Sequence, residues 1–138
     1  MRLSNFRVED NYAIKSGDAW LDLHNDYDFA GVYYDPISNS MTMTWKRASQ
    51  HSTLAGASRL VIWFRQVQLL KMELLEHATD MARANTLEFL GFLHPDDSDV
   101  TSGCLLQEEA DESYHLIFRF ENGCTIKCFC DEADCELS

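Results

Sequence analysis

Residues 114–136, YHLIFRFENGCTIKCFCDEADCE, decide how this chain folds. Asn122-Gly123 separates two runs of alternating apolar residues, a strong short hairpin signal because both residues tolerate positive φ. A two-residue loop would pair Glu121 with Cys124. One face would then mix His115, Ile117 and Arg119 with Ile126, Cys128 and Cys130. A three-residue loop, Glu121-Asn122-Gly123, pairs Phe120 with Cys124, Phe118 with Ile126 and Leu116 with Cys128. Leu116, Phe118, Phe120, Cys124, Ile126, Cys128 and Cys130 then share one apolar face. His115, Ile117, Arg119, Thr125, Lys127 and Phe129 take the other. A slip of one residue carries every side chain across the sheet, so burial selects the three-residue loop.

The register bears on the cysteines, which stand at 104, 124, 128, 130 and 135. A thiolate metal site needs converging soft ligands, often on a CxxC knuckle. This chain has Cys-Phe-Cys instead, and the chosen register turns His115 away from Cys128 and Cys130. Cys124, Cys128 and Cys130 therefore read as core residues, free cysteine behaving as a small hydrophobe. A metal or redox domain built on these thiols and His115 is the alternative. Cys135 is placed beyond the strand, among acids that disfavour its thiolate.

The 138 residues, 46% of them hydrophobic, suffice for one globular domain over 1–138. An acidic C-terminal tail is expected at 131–138. The opening MRLSNFRVED has no basic-then-apolar leader, and no stretch nears the ~20 apolar residues that span a bilayer. An odd cysteine count without a leader points to a cytoplasmic protein.

Residues 1–93 hold 11 acids and 9 bases, whereas residues 94–138 hold 12 acids and 2 bases, Arg119 and Lys127. The acids fall in clusters: Asp96, Asp97 and Asp99; Glu108, Glu109, Asp111 and Glu112; Asp131, Glu132, Asp134 and Glu136. Such a field repels nucleic acid and anionic membrane and attracts basic surfaces. All of these except Glu136 are taken as the candidate partner-binding set. A solvated surface that keeps a small protein dissolved is the plainer reading of the same charges.

Upstream, Ala19–Leu23, Phe29–Tyr34 and Met41–Trp45 read as strands, with a turn at Asp35–Asn39. Thr86–Leu93 is a further apolar run, and Gly103–Gln107 a short strand. Ser58–Ala84 is ambiguous. Leu60, Trp63, Phe64, Val67, Leu70 and Leu74 fit helical spacing. Leu60, Ile62 and Phe64 also alternate, within a β-prone Leu-Val-Ile-Trp-Phe run.

The succession LHNDYDFAGVYYDP, LVIWFRQV, TLEFLGFLHPDD and LIFRFENGCTIKC resembles small bacterial β-rich proteins of uncharacterised function, some of them immunity-protein-like. The likeness runs from about residue 20, rests on apolar patterns, and departs at Lys71–Asn85. It implies a strand at Arg59–Leu69 with a helical turn within Lys71–Arg83, and it brings no catalytic residue. The fold expected is mainly β: antiparallel sheets, as a sandwich or open barrel, ending in a hairpin at 114–130. The alternative is α+β, with one helix over about 58–84 packed on the sheet.

Asp22, His24, Asp26 and Asp28 alternate and would share one face of an extended chain, but no EF-hand spacing supports a hard-metal site. His51 and His77 read as surface residues. The GxSxG, P-loop, GxGxxG and HExxH signatures are missing, and six dispersed glycines cradle no phosphate. The chain thus reads as a non-catalytic acidic protein without cofactor that binds a basic protein, such as a toxin or a nucleic-acid-binding protein. Self-association through an exposed face carrying Ile117 and Phe129 is the further option.

Overall fold

The computed structural model describes residues 1–51, 56–74, 84–97 and 104–138. Its C-terminal hairpin pairs β9 (His115–Phe120) with β10 (Thr125–Leu137). Ile126 lies opposite Phe118 and Cys128 opposite Leu116, the register of the three-residue loop. Gly123 takes φ 82°, and its N–H donates to Phe120 O at 2.7 Å. Asn122 Oδ1 accepts from Cys124 N at 2.9 Å, so the side chain braces the turn.

β10 does not stop at Cys130. It pairs with β7 (Arg59–Glu73) from Thr125, opposite Glu73, to Leu137, opposite Leu60. The expected acidic tail at 131–138 is therefore a correction, since residues 131–137 are strand in mid-sheet. The alternation changes phase there. Cys128 and Cys130 face the core, Asp131 and Glu132 both turn outward, and Ala133 and Cys135 face the core again. The β7–β10 ladder shifts register just before this point, with Phe129 opposite Leu69 and Cys130 opposite Val67, so Gln68 is the extra residue. Two successive outward acids hide the period of two on which a strand is recognised.

β7 settles the ambiguous segment. Leu60, Ile62 and Phe64 are fully buried, whereas Trp63 is 36% and Leu74 76% exposed. The residues that suggested a helical stripe thus point to opposite sides of a strand. The long helix over 58–84 is overturned for residues 59–73. Within Lys71–Arg83, Lys71–Glu73 is strand; residues 75–83, with His77, lie outside the described residues.

β5 (Tyr27–Asp35) and β6 (Ser40–Arg47) form a hairpin whose turn is held by Asp35, with Oδ1 accepting from Ile37 N at 2.9 Å. With β8 (Leu87–Leu93) the large sheet has the order β5-β6-β7-β10-β9-β8, all antiparallel. β1 (Arg2–Leu3) lies parallel to β10 beyond the end of β9. The sheet curls into a half-barrel, and Phe29 N donates to Asn85 O at 2.8 Å, linking β5 to the approach to β8. A small sheet of β2 (Arg7–Asp10), β3 (Ala13–Ser16) and β4 (Ala19–Asp22) contributes Val8, Ile14 and Leu21 to the same core. The expected strand at Gly103–Gln107 reduces, among the described residues, to one bridge between Leu105 and Phe92.

Candidate functional site

The thiols come first because they carried the rival chemistry. Cys128 and Cys130 are fully buried, and Cys135, placed by sequence outside any strand, is buried within β10. Burial pushes Cys130 and Cys135 up to about 11 and raises Cys128 well above the ordinary thiol range. His115 lies on the other face of the hairpin, its ring 5.1 Å from that of Phe129. Among the described residues no three His, Cys, Asp or Glu side chains group as metal ligands. In native protein, therefore, Ellman's reagent should react slowly with all five cysteines, then rapidly with five in denaturant. A fast native thiol would contradict this burial.

The opposite face of the hairpin is not open either. Ile117 is fully buried, and Phe129 is half-buried beside His115. Leu93, Gly91 and Phe89 of β8 lie opposite His115, Ile117 and Arg119. A Cβ on Gly91 would meet Cys104 Cβ and Leu105 O, each at 3.1 Å, so that segment presses on the sheet where a side chain is missing. Arg119 Nε lies 2.9 Å from Glu88 Oε2, and Lys127 Nζ donates to Asp97 O at 3.1 Å. Self-association through an exposed Ile117 and Phe129 is thereby corrected.

His115 Nδ1 is buried without a partner among the described residues. Burial first, then the nearby Lys127 charge, lowers the His115 pKa below its ordinary 6.5. Between that lowered value and 6.5 the unfolded chain binds more protons than the folded one, so acidification costs stability. Urea melts from pH 7.5 down to 5 should show falling stability below about 6.5. His115→Phe should flatten that slope; an unchanged slope would exclude His115 as its source.

The candidate acids separate into three places. On β10, Asp134 accepts two hydrogen bonds from Arg65, at 3.0 and 2.6 Å, and Asp131 accepts from Gln68. Glu132 is paired with Arg2 at 2.8 Å, and the Ser4 hydroxyl, then Arg2, hold its carboxyl below the usual range. Glu136 accepts from the Trp63 indole at 3.3 Å. These charges are largely answered within the sheet.

The second group is Glu108, Glu109, Asp111 and Glu112, all exposed. Glu109 accepts from Leu106 N at 3.2 Å, and Ser113 bonds hold Asp111 below the ordinary carboxylate value. Gln107 Oε1 accepts Val8 N at 2.7 Å and stitches this loop to β2. Between them runs a groove of about 470 Å³ lined by Arg7, Glu9, Asp10, Leu106, Gln107 and Glu108. Arg7 is paired with Glu9 at its rim, and Leu106 is 41% exposed. Sequence reasoning missed Glu9, Asp10 and Leu106, because nothing local signals that β2 lies beside residues 106–108.

Protein-family models, curated proteins and solved structures offer no match to this chain.

The third group is Asp96 and Asp97, exposed after β8, with Asp99 outside the described residues. The alternating Asp22, His24, Asp26 and Asp28 do not form one extended row. Residues 23–26 turn, and Asp22 caps that turn by accepting His24 N at 3.0 Å and Asn25 N at 2.8 Å. His51 ends a 3-10 turn at Ser49–His51.

Proposed function

We propose that this is a non-catalytic protein that docks a basic protein partner in the groove between β2 and the 106–112 loop. The observation that carries the reading is the grouping of Glu9, Asp10 and Glu108 around the exposed Leu106. Glu109, Asp111 and Glu112 extend the same negative surface. Carboxylates bound to a braced loop steer a cationic partner, and one apolar side chain among them gives it a point to bury. Of the candidate residues, Glu108, Glu109, Asp111 and Glu112 are the core of the contact. Asp96 and Asp97 add to the long-range field, whereas Asp131, Glu132 and Asp134 serve the sheet.

The partner class is a basic toxin or nucleic-acid-binding protein. The chain's net charge of −12 opposes direct contact with nucleic acid or an anionic membrane. Five free cysteines support a reducing compartment such as the cytoplasm. The alternative centred on Cys124, Cys128 and Cys130 loses support from the buried, protonated thiols and the placement of His115.

A pull-down from lysate at low salt, repeated at high salt, tests the reading. A basic protein should be retained at low salt, with an association rate that falls roughly tenfold or more as salt rises. Glu9→Lys with Glu108→Lys should abolish capture, whereas Asp134→Asn should leave it nearly unchanged. Capture of a salt-indifferent partner, or one insensitive to the Glu9 and Glu108 reversal, would sink the proposal.

A further inference from the structure

A smaller cleft on another part of the surface has no place in that reading. Its floor is the outward face of β7 and β10, where Lys71 lies directly opposite Lys127 and Glu73 opposite Thr125. Its wall is the stretch after β8 that carries Asp96 and Asp97, and its volume is about 210 Å³. Like charges facing each other across strands oppose pairing, and burying an ammonium is costly without partners. Lys127 is nevertheless only 9% exposed. An ammonium has three N–H donors, and among the described residues Lys127 Nζ has one acceptor, Asp97 O at 3.1 Å. Lys71 is half-exposed and paired with Glu73 at 2.5 Å.

We propose that this cleft binds a small zwitterion of amino-acid type. Its carboxylate bridges Lys71 and Lys127, and its ammonium faces Asp96 and Asp97. Sign segregation carries the choice of ligand. The floor presents two cations beside a threonine, and the wall presents two exposed carboxylates. A simple anion satisfies the floor and meets repulsion from the wall; a simple amine does the reverse. A carboxylate between the lysines supplies acceptors to the buried ammonium and relieves the cross-strand repulsion. The volume admits a molecule of a few heavy atoms and excludes a folded partner, so the site is separate from the groove beside β2.

Isothermal titration of the full chain with glycine, β-alanine and γ-aminobutyrate, beside acetate and methylamine, tests this. At least one of the three zwitterions should bind tenfold or more tightly than either single-ended probe. Lys71→Met and Asp97→Asn should each weaken that binding about tenfold, with unchanged circular dichroism. Lys71 is the informative substitution, since Lys127→Met also removes a contact that holds residue 97. Equal binding of acetate, silence with all three zwitterions, or an unaltered affinity in Lys71→Met would overturn the proposal. None of these results bears on capture of a basic protein through Glu9 and Glu108.

Discussion

A chain ending at Cys130 should fail to fold, giving a broad, non-cooperative urea transition where the full chain melts sharply. The residues removed look like a solvated acidic tail, and loss of a tail would leave the midpoint unchanged. Here Ala133 and Cys135 are buried, and Leu137 packs against the core. Residues 132–137 pair with Leu60–Arg65, and Arg2 and Leu3 pair with Glu132 and Ala133. Ser138 exchanges backbone hydrogen bonds with Arg59 at 2.8 and 3.0 Å. Truncation therefore strips one whole side of β7 between Leu60 and Arg65 and leaves β1 without a partner. A domain holds only roughly 5–15 kcal/mol of net stability, and exposing Leu60, Ile62 and Phe64 along an unpaired edge exceeds what it can lose. A truncated chain that melts cooperatively near the full-length midpoint would refute this strand assignment.

Phe118→Ala should destabilise the protein by about 3–5 kcal/mol, the range for emptying a core aromatic site. That corresponds to a fall of roughly 10–20 °C in Tm for a domain of this size. Phe118 is fully buried, lies opposite Ile126, and meets the rings of Trp45 at 5.7 Å and Phe64 at 6.4 Å, the latter edge-on. It joins side chains from β6, β7 and β9, so a cavity there has lining from three strands and little room to collapse. Phe118→Leu, which keeps more of the volume, should cost less than half as much. A change below 1 kcal/mol in Phe118→Ala would show that the hairpin does not pack in the register described.

The hairpin register was legible because one choice produced a uniform apolar face and the other did not. Arg59–Leu69 was legible as strand only through its β-branched and aromatic content, since Trp63, Phe64, Val67 and Leu70 also satisfied a helical period. The second half of β10 was not legible. Asp131 and Glu132 both face outward, so the alternation that marks a strand breaks where acidic composition suggests solvent. The groove was only half visible. Glu108 to Glu112 stand out as charges, yet Glu9 and Asp10 join them through a contact between residues about a hundred positions apart, held by Gln107 and Val8. Such proximity follows from topology, to which no local pattern gives access.

The position of β10 has a consequence for synthesis. It is the last strand along the chain, yet it occupies the middle of the large sheet, between β7 and β9 with β1 alongside. As the polypeptide leaves the ribosome, β5, β6 and β7 can assemble early, but β7 then presents a bare hydrogen-bonding edge. β8 and β9 have no route into that sheet until residues 125–137 emerge, and β1 waits for almost the entire chain. Closure is thus a late, long-range event, which makes folding slow relative to translation of the final strand. The nascent chain carries its most adhesive edge through most of its own production.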